Sequence, residues 1–283
     1  MFLRYSVAAE ITTRDFFIVN RPGISRDGRW RAHQEKTMAL LEEFENSGNW
    51  LFRWRSYLPL VLVGIFLLAM GDYQNFGEDG VLDLYWTVAC LVVSYFGLAI
   101  RVFTIGYTPE RTSGRNTREQ IADTLNTTGL YSIVRNPLYL GNFFMVLGVA
   151  LFPHLWRLVF IYVLLFWLYY ERIIFAEETF LRKKFGSQYL DWANATPAFI
   201  PRFNGYRKPG LPFSIRNVLR REYNGFFAVI VVMFMLEVAG EAIVDGKFNP
   251  DAWWLVLLGA GFIVWMILRS LKKYTRLLAV EGR

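Results

Sequence analysis

Apolar residues in this chain fall into six runs separated by polar, charge-rich stretches, at approximately Tyr57–Met70, Leu84–Gly106, Leu138–Phe152, Leu155–Phe175, Gly225–Val244 and Ala252–Leu268. A helix needs about 20 mostly apolar residues to cross about 30 Å of hydrocarbon. Four of the runs meet or approach that length; the first and third are shorter. The pattern predicts an all-α, multi-helix membrane bundle of about six transmembrane segments. The third and fourth runs are joined only through Pro153 and His154, so they should be antiparallel neighbours. No period of 20 to 50 residues repeats, which gives solenoids and duplicated halves no support.

Charge placement orients the bundle, because short loops that keep Lys and Arg stay in the cytoplasm. Arg111, Arg115, Arg118 and Arg135 follow the second run, and Arg182, Lys183, Lys184, Arg202, Arg207, Lys208, Arg216, Arg220 and Arg221 follow the fourth. The N-terminal arm is also basic, and Lys272, Lys273 and Arg276 follow the sixth run. The opposite loops are acidic (DYQNFGEDGVLD), very short (PHLW), or carry Lys247 alone (VDGKFNPD). Both termini are therefore expected on the cytoplasmic side. The chain divides into three regions: an N-terminal cytoplasmic or interfacial arm over 1–55, a core over 56–203, and a basic linker with a C-terminal helix pair over 204–283. Within the arm, Met38, Leu40, Leu41 and Phe44 approximate one helical face, and Trp50, Phe52 and Trp54 suit an interface, so a helix lying on the membrane is expected.

Composition supports this picture. The chain is 54% hydrophobic and 18% aromatic, with a net charge of +7 that belongs mainly to one face, where it would attract anionic lipid headgroups. Cations interleaved with spanning segments argue against nucleic acid as a partner. A single cysteine, Cys90, excludes an intrachain disulfide and a multi-cysteine metal site. The two histidines, His33 and His154, fall on opposite expected sides, which argues against a histidine-built metal centre, so no metal site is expected. The sequence does not indicate an oligomeric state.

Polar groups at membrane depth are costly, so their position is informative. They gather at one mouth: Arg101 ends the second run; Arg135, Asn136 and Tyr139 open the third; Glu171, Arg172, Glu177 and Glu178 close the fourth. The short turn between runs three and four brings RNPLY beside the EE pair. Pro137 suits the first position of a helix, with Asn136 before it as a cap. Glu237 and Glu241 are expected toward the outer headgroups.

The stretch TTGLYSIVRNPLYLG, followed by EE-x-x-L-x-x-x-FG-x-x-Y-x-x-W and a closing P-x-x-IP, resembles the membrane methyltransferase superfamily of isoprenylcysteine carboxyl methyltransferase and the phospholipid N-methyltransferases. The likeness covers approximately Arg101 to Arg202. It implies an S-adenosylmethionine-dependent methyltransferase whose cofactor sits at the cytoplasmic mouth and whose lipid or lipid-modified acceptor enters from the bilayer. Matched residue by residue, it assigns cofactor binding to Gly129, Tyr131, Arg135, Asn136, Pro137, Tyr139, Glu177 and Glu178. Arg135, Glu178 and Arg101 become the candidates for the transfer step. Many relatives have histidine where Asn136 stands, so an imidazole base is missing here.

The chemistry agrees with the likeness. Arg135 suits a carboxylate, Glu177 and Glu178 suit ribose hydroxyls or an ammonium, and Tyr131 and Tyr139 suit the flanks of an adenine. Arg101 is read either as a group steadying an anionic acceptor or as a snorkelling side chain. The acceptor stays open between a carboxylate, an amine and a phosphate headgroup. The polar loop YTPERTSGRNTREQIADTLNTTG has the length and composition of a lid, or of a solvated loop touching lipid. The competing class is a non-catalytic membrane scaffold or a transporter that keeps the motif as helix architecture.

Overall fold

The computed structural model describes residues 40–55, 57–73, 80–109, 112, 122–244, 246 and 250–283. Arg111, Arg115, Arg118, His33, Met38 and Lys247 lie outside the described residues. By chain contacts, residues 1–41 form one unit and residues 42–283 a second. Among the described residues the regular elements are helices, with an isolated antiparallel bridge between Gly129 and Arg207. The helices are α1 (Leu40–Trp54), α2 (Leu58–Ala69), α3 (Gly80–Gly106), α4 (Pro137–Leu151), α5 (Trp156–Phe185), α6 (Ser187–Ala195), α7 (Ile215–Val244) and α8 (Ala252–Tyr274).

Among the described residues, four helices are long and apolar enough to cross a membrane: Val81–Gly106, Trp156–Phe185, Ile215–Ile243 and Ala252–Tyr274. At 12 and 15 residues, α2 and α4 are shorter, as their runs indicated. Outward faces are apolar, with Leu164, Trp167 and Leu168 on α5 and Val256 and Ile263 on α8 exposed. In water such a surface would be a liability, whereas in hydrocarbon it is the solvated face. The chain is an integral membrane protein. Helix α5 runs ten residues beyond the apolar run that predicted it, and α7 begins ten residues before its own, so charged turns extend the bundle past the apolar zone.

The core is built where α3 and α4 touch backbone to backbone. A Cβ on Gly148 would collide with the Cys90 carbonyl and Ser94, and one on Gly97 with the Gly141 carbonyl and the Met145 amide. Small residues at such crossings let membrane helices gain packing without a hydrophobic driving force. Ser94 Oγ also donates to the Met145 carbonyl at 2.8 Å. At the bundle end remote from the RNPLY segment, Met70 and Tyr73 after α2, Phe152 after α4, Leu236 of α7 and Trp254 of α8 join one buried cluster. Trp86 Nε1 ties the α4–α5 turn by donating to the Leu151 carbonyl at 3.1 Å.

Helix α1, expected to lie on the membrane, has a protein partner as well. Leu40, Trp50 and Trp54 are exposed, yet the helix is seated along α5. Phe44 packs on Phe175 with centroids 5.9 Å apart, and the Arg172 guanidinium lies over the Phe44 ring at 4.4 Å. Lys183 pairs with Glu45 at 2.7 Å, and Phe52 is buried with Tyr139 and Ile173. The cations near the end of α5 supply what bulk lipid would not, a specific partner for an acidic helix.

Because the α3–α4 contact leaves no room for a side chain, Gly148→Val should destabilise the protein by about 1–3 kcal/mol or more. Thermal unfolding in detergent, compared with a lipid-facing control such as Val256→Ala, checks this.

Candidate functional site

The segment Gly129–Asn136 forms one wall of the site, and a second stretch of chain holds it in place. Gly129 has φ of 61°, a conformation that side chains disfavour, and its N–H donates to the Arg207 carbonyl at 2.8 Å. The Arg135 N–H donates to Pro197 O at 2.8 Å, Arg202 N–H to Ile133 O at 2.9 Å, and Asn136 Nδ2 to Ala198 O at 3.0 Å. Trp192 Nε1 donates to Tyr131 O at 3.0 Å, and the Arg207 N–H to Ser132 Oγ at 2.9 Å. The P-x-x-IP and Y-x-x-W elements therefore brace the RNP segment. Asn136 does stand just before α4, with Pro137 as its first residue, but its side chain makes no cap bond and is engaged in this brace.

The α4–α5 hairpin then does what its short turn required. Arg135 Nη1 meets Glu178 Oε2 at 2.8 Å, and Tyr139 Oη donates to Glu177 Oε1 at 2.7 Å. Arg55, just past α1, reaches Glu177 at 3.6 Å. Tyr189 on α6, only 1% exposed, packs against Trp192 with centroids 5.8 Å apart. Burial, together with the charge of Glu178, holds the Tyr189 phenol well above its usual ionisation range. Burial and the charge of Glu177 do the same for Tyr131, which Arg221 and Arg101 partly offset. Both hydroxyls are therefore neutral donors at any physiological pH.

Three polar atoms here are buried without a hydrogen-bond partner among the described residues: Arg135 Nε, Glu178 Oε1 and Tyr189 Oη. They come from three elements and gather about one ion pair. An unmet guanidinium N–H, a carboxylate oxygen and a phenol are what a zwitterionic amino acid or a ribose diol would satisfy, so these residues fit the polar parts of S-adenosylmethionine.

Arg101 lies deeper. It does not snorkel, since Nε and Nη2 meet Glu222 Oε2 and Oε1 at 2.7 and 2.8 Å, and Nη1 donates to Asn142 Oδ1 at 2.6 Å. Asn142 Nδ2 in turn donates to Tyr170 Oη at 3.1 Å, and the Tyr170 ring lies 4.6 Å from that of Tyr139. The structure thus brings Arg101, Tyr131, Arg135, Tyr139, Glu177 and Glu178 to one end of the bundle, with Gly129, Asn136 and Pro137 shaping the backbone there. Sequence reasoning did not single out Arg55, Asn142, Tyr170, Tyr189 or Glu222 as site residues. Tyr189 stands inside the FG-x-x-Y element and was within reach; Glu222 lies in no motif. Glu171, a polar residue assigned to the same mouth, is exposed.

The phospholipid methyltransferase family matches residues 86–188. The nickel-cobalt-cadmium resistance protein NccN of Alcaligenes xylosoxydans xylosoxydans is 30% identical over 159 residues, which are 56% of this chain and 70% of that protein. The cobalt-zinc-cadmium resistance protein CzcN of Cupriavidus metallidurans is 32% identical over 161 residues, 56% of this chain and 69% of its own. The protein-S-isoprenylcysteine O-methyltransferase of Saccharomyces cerevisiae is 28% identical over 134 residues, 46% of this chain and 54% of its own. No solved structure matches the chain.

Since the Tyr189 hydroxyl makes no hydrogen bond of normal geometry and only approaches Glu178 and Arg135, Tyr189→Phe should change thermal stability by no more than about 1 kcal/mol. Unfolding of the purified variant in detergent measures this, and a marked loss would mean that the hydroxyl serves the fold.

Proposed function

The chain belongs to the membrane methyltransferase superfamily of the phospholipid methyltransferases and isoprenylcysteine O-methyltransferases, and we propose that it transfers a methyl group from S-adenosylmethionine to a lipid or lipid-modified acceptor. The observation that carries the reading is the cluster of unmet polar atoms around the Arg135–Glu178 pair. When bound, the cofactor would supply an electrophilic methyl carbon on a sulfonium. The protein contributes alignment and exclusion of water.

Arg135 would hold the amino-acid carboxylate, leaving Glu178 and the Tyr189 hydroxyl for the ammonium or the ribose. Glu177, already bonded to Tyr139 and near Arg55, faces the same end and can take a second donor. Tyr131 and Tyr139 offer flat walls to the adenine. An amine acceptor would have to lose a proton, for which Glu177, oriented by its bond from Tyr139, is a candidate base; a carboxylate or phosphate oxygen needs no base. The resistance functions in the names of two relatives are compatible with such chemistry, because methylating an anionic headgroup removes a charge that binds cations.

We place this site at the cytoplasmic face, with six helical crossings and both ends of the described bundle on that side. Support comes from the chain's direction: α3, α5 and α8 end, and α4 and α7 begin, at the end that carries Arg135, Arg216, Arg220, Lys272 and Lys273, while Asp83, Glu241 and Asp251 stand at the other. The short α2 and α4 then cross with help from flanking turns and local thinning of the bilayer. Basic residues at the site end would also gather anionic headgroups.

Saturating S-adenosylhomocysteine should raise the melting temperature of the detergent-purified protein. Arg135→Ala and Glu178→Ala should abolish that shift and methyl transfer, while Tyr189→Phe should weaken product binding by about fivefold to tenfold without a loss of stability. A wild-type protein that gains no stability from the product would overturn the assignment.

A further inference from the structure

Resting on the methyl-transfer reading, we propose that Glu222, on α7, is a positioning residue for the acceptor half of the site, acting through Arg101 and Asn142 on Tyr170. The match to the phospholipid methyltransferase family covers residues 86–188, so Glu222 lies on a helix outside that match. Glu222 is 5% exposed and grips Arg101 through both carboxylate oxygens. A buried carboxylate and guanidinium in this two-point geometry fix each other's orientation.

Donor and acceptor chemistry carries that grip outward to the next two side chains. A guanidinium has no acceptor, so the Asn142 side chain must turn its carbonyl toward Arg101 Nη1. Its amide nitrogen then faces away, and donates to Tyr170 Oη. Tyr170 accepts that bond, which leaves its own O–H proton to point elsewhere. The ring is pinned by Phe166 at 4.2 Å, Tyr139 at 4.6 Å and Tyr169 at 4.9 Å, so the hydroxyl has little freedom beyond rotation of its proton. Tyr139 is in turn bonded to Glu177. One hydroxyl with a proton to give therefore stands beside Tyr139 and the proposed cofactor groups. Tyr170 is the group in this relay that would touch an acceptor; Glu222 sets the direction of its bond.

A role in holding the acceptor differs from a role in holding the bundle. It should be lost without loss of cofactor affinity, and the two ends of the relay should behave as one unit. The test uses full-length protein in membranes of the producing cells, with incorporation of tritiated methyl from labelled S-adenosylmethionine into the organic extract, and S-adenosylhomocysteine affinity of purified protein by calorimetry. Glu222→Gln places an amide N–H₂ against the guanidinium and should cut turnover by about tenfold or more, with product affinity changed by less than about twofold. Tyr170→Phe should do the same. The double variant should be no worse than either alone, since both break one chain.

Losses that multiply in the double variant, wild-type turnover in Tyr170→Phe, or a parallel fall in product affinity would each overturn the inference. Should Glu222→Gln fail to fold because Arg101 loses its counter-charge, Asn142→Leu severs the same relay between neutral groups and must reproduce the Tyr170→Phe defect. A wild-type protein that binds no product, or binds it and transfers no label, would overturn the methyl-transfer reading itself and this inference with it. Normal wild-type transfer with unaffected variants would overturn the relay alone.

Discussion

A guanidinium held among hydrocarbon-spanning helices is tolerable only when an anion meets it, and that constraint organises one end of this protein. Three arginines approach three glutamates there: Arg135 with Glu178, Arg101 with Glu222 and Arg55 with Glu177. Each pair joins elements far apart in sequence. The pairs cost desolvation that packing alone would have avoided, so they are a weak explanation of stability and a better one of a built polar cluster. The contrast between them is chemical. Arg101 is fully engaged through Nε and both terminal nitrogens, whereas Arg135 and Glu178 each keep an unmet buried atom.

The apolar scaffold serves this arrangement by bringing backbones unusually close. The α3–α4 contact through Gly97, Gly141 and Gly148 lets Arg101 on one helix reach Asn142 on the next, and the tight turn after α4 returns α5 alongside it. Helix α7 then packs along α3 and delivers Glu222. None of this needs a sheet or a nucleotide-binding loop; the cluster is made from helix ends and one braced loop.

Much of this was legible in the sequence because the decisive contacts are enforced by connectivity. RNPLY and the glutamate pair had to meet once α4 and α5 were joined by so short a turn, and the six apolar runs reappear as helices. Other features were not legible, for definable reasons. Glu222 lies 121 residues from Arg101 and is flanked by ordinary interfacial cations, so nothing local marks it as a partner. Asn136 has the residue type and position of a cap, yet its amide bonds a carbonyl 62 residues away, a tertiary demand that overrides the local preference. The arm helix reads as membrane-lying from its aromatic and basic content, and only the fold shows that Phe44 packs on Phe175 of α5 and that Phe52 is buried beside Ile173 and Tyr139.

The brace between residues 129–136 and 197–207 also fixes when the cluster can exist. The RNP wall draws its external hydrogen bonds from a stretch that leaves the ribosome some sixty residues later, after α5 and α6 have been made. A nascent chain halted at the end of α5 would already have the Arg135 and Glu178 side chains in place along the chain, but no strap to set the loop between them. The bonds that set the Gly129–Asn136 wall therefore wait on synthesis of residues 192–207, and the Arg101–Glu222 pair waits longer still, until α7 has been made.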